Sequence, residues 1–410
     1  MRVLIVTQSY RPVHGGIAEH ARNLGLALCA RGHDVRVLTS GPAPAQGEDE
    51  PFPVLRVGRR FHVRSNGARA SLALHVAYRE AVRPIVRSAE LIHVHSPLEP
   101  FLPWAVLKEA RVPCIGTFHN AGDPHWGYRL LGPLLAPLAA RLTVRTAVSR
   151  CAAAFAGRHF PGEFLLVPNG VDPVRFHPAA EAGRRRRSAS RPVLLFVGRL
   201  EPRKGIPVLV AAVEKLRRGG ARSPRLIVVG DGSLRARLHD AARRAHIDLD
   251  WRGAIGPAVL PAVYREADVF IAPALSGESF GIVLLEALAS GLPVVASRIE
   301  GFEELLGGCC AARLFPAGDA GSLAQEVEAE LRGLEAEASA DASEARTATA
   351  ARAFALRYSW DRVAAATEEA YREALGENLA SVPRLIFQHL EGKEVAIHPV
   401  SSRETGRAGA

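Results

Sequence analysis

The chain has 410 residues, 48% of them hydrophobic and 23% charged, which excludes a disordered chain and a multi-span membrane bundle and leaves length for two domains with separate cores. Its net charge of +10 is concentrated early: residues 1–175 hold 21 Lys and Arg against 12 Asp and Glu. An anionic lipid surface, a phosphorylated acceptor or nucleic acid could use that excess, although arginine is this chain's default cation throughout. The five cysteines, Cys29, Cys114, Cys151, Cys309 and Cys310, form no CxxC pair or metal-ligand spacing and point to reduced thiols in the cytoplasm.

Met1 runs directly into RVLIVT, without a charged-then-apolar leader, so export is not expected. The best membrane candidate, GPLLAPLAARLTV, is broken by Pro133, Pro137 and Arg141 and falls short of the ~18 to 20 apolar residues a span needs. Contact with a membrane is therefore expected to be peripheral, on the inner face. Short Val-, Ile- and Leu-rich runs then alternate with helical patterns, which predicts parallel strands joined by crossover helices. In the first half these runs are 3–7, 34–40, 91–96, 114–119 and 164–169; in the second they are 193–198, 225–230, 268–273 and 293–297. The fold class expected is α/β, two Rossmann-like domains whose ligands sit beyond the carboxyl ends of the strands. Residues 1–177 form the first domain and 192–355 the second, joined by a linker over 178–191 that contains Pro178 and the run Arg184 to Arg187. Residues 322–352 read as exposed Ala- and Glu-rich helix, 356–376 as one more helix opened by a capping-box-like Ser359, and 377–410 as a partly disordered tail.

The segment GESFGIVLLEALASG carries the most chemistry. Glu278, Ser279, Phe280 and Gly281 follow a strand and precede a helical pattern, so a helix start there would offer N–H groups and a positive dipole to an anion such as a diphosphate. Seven residues separate Glu278 from Glu286, which places the first carboxylate in the loop and the second a turn inside the helix. They would serve different atoms of one ligand rather than flank one bond as a glycosidase pair does. In GRLEPRKG, Arg199 and Lys204 would overhang the same crevice and clamp a leaving diphosphate, a task a divalent metal performs elsewhere.

In the first half, Gly15 and Gly16 let backbone approach a ligand, but no full GxGxxG or following acidic residue supports a NAD site. His119 ends a strand beside His93 and His95, and the absence of Glu or Cys at ligand spacing favours a polar, sugar- or acceptor-facing role over a metal. The triplet Asp248 to Asp250 could be mistaken for a metal-binding DxD, yet its place before WRGAIG predicts a solvated loop. No metal site is expected.

Together GGI at 15–17, TFHN at 117–120, VPNGVD at 167–172, GRLEPRKG, VVGDG at 228–232 and GESFGIVLLEALASGLPVVAS resemble family 4 of the retaining glycosyltransferases, over residues 1 to about 376. The phosphatidylinositol mannosyltransferases are the members it is most similar to, through TFHN, AVS at 147–149, EPRKG and GESFGIVLLEA. The resemblance implies the GT-B fold, with acceptor domain first, donor domain second, a cleft between them and a final helix crossing back. It implies that Arg199 and Lys204 hold the donor diphosphate, Ser279, Phe280, Gly281 and Ile282 offer N–H groups, and Glu286 binds ribose. Glu278 would face the transferred sugar, Gly16 would lie against the phosphates, and His119 would stand near the anomeric carbon. The family's lysine- and arginine-dense membrane helix has a sparse counterpart in LALHVAYREAVRPIVR, where Arg79, Arg83 and Arg87 would share one face.

The expected reaction is retaining, metal-independent transfer of a hexose from GDP-mannose or a UDP-sugar, with no other cofactor, to a lipid-linked, phosphorylated, polysaccharide or small-molecule acceptor. A sugar-nucleotide epimerase or phosphorylase on the same architecture, or a non-catalytic nucleotide- or membrane-binding protein, are the rivals. Nucleic acid is not an expected partner, since no aromatic-interleaved basic patch accompanies the charge.

Overall fold

The computed structural model describes residues 1–12, 15–41, 50–65, 68–74, 78–122, 135–179, 191–219, 223–339 and 346–377. The linker expected at 178–191, with its arginine run, and the tail expected from 377 fall almost wholly outside the described residues.

The first lobe is built on β1 (Arg2–Val6), β2 (Asp34–Thr39), β3 (Val54–Arg56), a hairpin of β4 (Arg59–Ser65) and β5 (Ala68–Leu74), β6 (Leu91–His95), β7 (Cys114–Phe118), β8 (Val144–Ala147) and β9 (Leu165–Leu166). Apart from the hairpin they form one sheet in the order β3-β2-β1-β6-β7-β8-β9, and every pair is parallel. The second lobe repeats the plan with β10 (Val193–Val197), β11 (Arg225–Val229), β12 (Asp248–Gly253), β13 (Val269–Ala272), β14 (Val294–Arg298) and β15 (Ala312–Pro316), ordered β12-β11-β10-β13-β14-β15. β6, β7 and β13 are buried at every position, because helices cover both faces of a parallel sheet and each strand can be apolar throughout.

Both sheets reverse their strand order at one point, between β1 and β6 and between β10 and β13. Open α/β sheets form ligand crevices at such points, beyond the carboxyl ends of the strands. The loops after β1, β6, β10 and β13 are therefore the places to look for chemistry.

The helix Trp360–Ala374 packs Trp360, Val363 and Tyr371 into a core with Val3, Ile5, Leu24 and Leu28 of the first lobe. Glu368 fastens it, accepting from Arg31 Nε and lying against His33 Nε2, both at 2.8 Å. Ser359 stands at its N-cap without a side-chain cap bond; the entry is held instead by backbone, with Val171 N donating to Tyr358 O at 2.8 Å.

Two expectations need correction. LALHVAYREAVRPIVR is not one helix: Leu72 to Leu74 end β5, and the helix begins at Tyr78. The sequence between β4 and β5 reads Asn66-Gly67, the pair that favours two-residue hairpin turns. Asp248 to Asp250 open β12 rather than a solvated loop. There Asp250 pairs with Arg225 at 2.7 Å and Arg252 at 2.9 Å, and Asp248 with Arg191 at 2.7 Å, so neighbouring arginines neutralise an edge strand that polarity alone would assign to a loop. Among the described residues, no helix is long and apolar enough to cross a membrane.

Candidate active site

After β10 the chain makes a tight 3-10 turn, Pro202–Lys204, closed by Gly205 at φ 71°. A Cβ there would stand 1.8 Å from the carbonyl oxygen of Pro273, so only glycine lets the turn press against the loop after β13. Leu275 N donates to Arg203 O at 2.7 Å and locks the two loops together. Lys204 Nζ thereby reaches Glu278 Oε1 at 2.8 Å, and Arg203 pairs with the same carboxylate oxygen. Glu201, its side chain 9% exposed, holds Arg199 at 2.9 Å and Arg203 at 3.3 Å. Three cations are thus arranged around two carboxylates at one switch point.

Across this turn, Gly281 (φ 97°) caps the helix Ile282–Ala289. A Cβ at that position would meet Phe302 at 2.8 Å. Phe280 is 4% exposed and its ring packs toward Tyr358, so of the four residues Ser279 to Ile282 it contributes backbone only. The first N–H groups of a helix have no partner within it, and this helix begins shortly after Glu278, the carboxylate that Arg203 and Lys204 share. Glu286, one turn on, accepts from Tyr264 OH at 2.8 Å. Burial pushes its carboxyl up to about 7, with Tyr264 and Arg175 pulling the other way and Glu19 adding to the rise.

The first lobe meets this site closely. Gly15 caps the helix Gly16–Ala30, and a Cβ on Gly16 would stand 3.7 Å from Ile282 Cδ1. Glu19 lies 3.6 Å from Arg11 and 3.9 Å from Arg175, and Arg175 donates across to Pro257 O at 2.5 Å. Cys151 Sγ contacts Ser279 O at 3.3 Å, while Glu304 accepts from Arg150 N at 2.7 Å.

His119 sits in this wall, 8% exposed. Its Nε2 shares a hydrogen bond with His95 Nδ1 at 3.0 Å, and the ring of His20 lies 4.9 Å away, held by Asn169 Oδ1 at 2.6 Å. His20, His95 and His119 bring their ring nitrogens within 4.8 Å of one another. Burial first, then the neighbouring imidazoles, hold His93, His95 and His119 low, His93 at about 3; burial holds His20 at about 4 against the pull of Asn169. All four are neutral near pH 7. The sequence grouped His93, His95 and His119; the structure adds His20 beside His95 and His119, while His93 stacks on His95 at 4.5 Å and turns its nitrogens to Tyr371 OH at 2.8 Å and Thr117 Oγ1 at 2.6 Å.

Glu201, Arg203, Tyr264, Arg175, Glu19 and His20 are the partners missed from the sequence. Glu201 and Arg203 stood inside GRLEPRKG, where only the flanking cations drew attention. The basic face of the helix Tyr78–Arg87 is also partly spent: Arg83 pairs with Glu109 at 2.9 Å, and Arg79 pairs with the same carboxylate.

Two parallel-sheet lobes in contact, with a cationic turn and a helix start at the switch point of the second, define a glycosyltransferase of the GT-B architecture. Sucrose-phosphate synthase from Thermosynechococcus elongatus shares that fold at a TM-score of 0.71 and 22% identity, covering 92% of this chain and 100% of the other. Anabaena HepE, solved with UDP and glucose, matches at 0.69 and 20%, covering 91% and 100%. Residues 14–175 match the family described as Glycosyltransferase Family 4, and residues 191–332 match Glycosyl transferases group 1. The phosphatidyl-myo-inositol mannosyltransferase of Mycolicibacterium smegmatis is 34% identical over 333 residues, 79% of this chain and 83% of that protein. The chain belongs to glycosyltransferase family 4.

Proposed function

We propose that the chain is a retaining, metal-independent mannosyltransferase that moves mannose from GDP-mannose to a lipid-linked or phosphorylated acceptor such as phosphatidylinositol, working peripherally at the inner face of the cell membrane. The observation that carries this reading is the cluster of Arg199, Arg203 and Lys204 held by Glu201 and Glu278 in the loops just ahead of the helix Ile282–Ala289. The name of the 34% identical relative supports the sugar and the acceptor.

In this reading the diphosphate lies between Arg199, Lys204 and the N–H groups of Ser279 to Ile282, with the backbone of Gly15 and Gly16 close against it. Glu286 takes the ribose hydroxyls and Glu278 the transferred sugar. As the bond to the anomeric carbon breaks, negative charge grows on the diphosphate, where fixed cations and a helix dipole lower the barrier most. Positive charge grows on the sugar. A neutral His119 orients that sugar without opposing the charge, which a protonated imidazole would do. The departing oxygen takes the proton of the incoming hydroxyl on the same face, so the configuration is retained.

A thermal-shift panel of GDP, UDP and their sugars identifies the donor. GDP-mannose should stabilise the protein most; selective stabilisation by a UDP-sugar would overturn the donor and favour the type of ligand found in HepE. A companion NMR spectrum of GDP-mannose without acceptor should show no epimer, which an epimerase would produce.

A further inference from the structure

The loop after β6 lies at the first lobe's switch point, and the proposed reaction has given it no task. It is an unusual loop. Ser96 and Phe101, both non-glycine, have positive φ of 50° and 76°, a backbone state that costs about 1 to 3 kcal/mol and persists only where its surroundings demand it. Between them, Glu99 N donates to Ser96 O at 2.9 Å, while Ser96 N is tied to Thr117 O of β7 at 2.9 Å. This strained turn places Glu99 in the lining of a recess together with His119, Asn120 and His159 and the rings of Phe118, Phe155 and Phe160. Gln8, from the loop after β1, donates to Glu99 Oε2 at 3.3 Å.

The open space in the recess is about 20 Å³, room for one water-sized group and not for a ring. A carboxyl-bearing side chain in the lining of an aromatic-walled slot of that size suits a single hydroxyl. One Glu99 oxygen is engaged by Gln8 and carboxylates have about four acceptor sites in all, so capacity remains for an incoming O–H. Burial pushes the Glu99 carboxyl up to about 7, against the pull of Gln8 and Ser96, as expected for a group whose surroundings supply little solvation.

We propose that Glu99 is the acceptor-positioning residue: its carboxylate takes a hydrogen bond from one hydroxyl of a polyol acceptor, turning the neighbouring hydroxyl toward the anomeric carbon beside His119. The acceptor so held is a ring with adjacent hydroxyls, one hydroxyl seated and the next one attacking. This rests on the glycosyl-transfer reading above and adds the residue that positions its acceptor. A slot built to hydrogen-bond a hydroxyl discriminates strongly against an analogue that lacks it.

The test uses the full chain with its donor and three acceptors: phosphatidylinositol in phosphatidylcholine vesicles, free myo-inositol and methyl α-mannoside. Glu99→Gln should raise the acceptor KM at least tenfold while the donor KM moves less than twofold, and Glu99→Asp should recover part of the loss. Among deoxy-inositols lacking one hydroxyl next to the attacked position, one should be poorer than inositol by tenfold or more in the wild type and no poorer in Glu99→Gln. Equal rises in both KM values, or a deoxy-inositol penalty that survives in Glu99→Gln, would overturn the proposal. A wild type that turns over the sugar nucleotide but glycosylates none of these polyols would overturn it too, leaving glycosyl transfer itself standing. A wild type that only epimerises the donor would fail the function reading, and that failure is visible before any variant is made.

Discussion

The two lobes repeat one topology and solve opposite electrostatic problems. At the switch point of the second lobe, Arg199, Arg203 and Lys204 are held by Glu201 and Glu278 in formal ion pairs. At the facing wall of the first lobe, His20, His93, His95 and His119 are buried, hydrogen-bonded and uncharged. Charge is concentrated where a diphosphate would leave, and kept away from where a sugar would become positive. The same fold supports both: the charged side chains of the second lobe come from loops, whereas the imidazoles of the first come from β6, from the helix Gly16–Ala30 and from the residue after β7.

Introducing charge into the neutral wall breaks the comparison most severely. His95→Lys buries an ammonium among imidazoles at a fully buried position, and should cost several kcal/mol, lowering the Tm by ten degrees or more in a circular dichroism melt. The reverse change in the second lobe, Glu278→Gln, should leave a folded protein with a Tm within a few degrees of wild type.

Glu286 gives a pH test of intermediate size. Its carboxyl is raised from 4.5 to about 7 by burial, so the folded state holds its proton more tightly than the unfolded chain. Stability therefore falls as pH rises from about 4.5 to about 7, by at most about 3 kcal/mol from this group. Urea melts of Glu286→Gln across that range should lack this part of the slope, and nucleotide binding should weaken about tenfold if the carboxylate holds ribose.

The smallest effect is expected far from both sites. Glu368 ties the crossing helix to Arg31 and His33 and is held below the usual carboxylate range, chiefly by Arg31. Its contribution is present above the unfolded value and lost as pH falls through the folded one. Glu368→Gln should cost about 1 kcal/mol at pH 7, read from the same melts.

The contrast between the lobes also shows what could be read from the chain. Runs such as VLLFV and VLIV announce buried parallel strands, because burial on both faces makes them uniformly apolar. β12 was illegible since its carboxylates are neutralised by Arg225 and Arg252, which lie on other parts of the fold or two residues away. In the second lobe the candidate residues fall in two contiguous motifs, so Glu278 and Lys204 could be suspected as neighbours. In the first lobe His20 and His119 come from a helix and from the residue after β7, separated by 99 positions, and Glu99 is presented by a strained turn; neither periodicity nor spacing encodes such meetings.

In the proposed reaction, fixed positive charge in the second lobe drives departure of the diphosphate. Lys204→Ala, assayed for transfer from GDP-mannose alongside its Tm, tests it directly. The expected result is a fall in kcat of about 10²- to 10³-fold with a Tm within a few degrees of wild type. Near-wild-type turnover in the folded variant would contradict it.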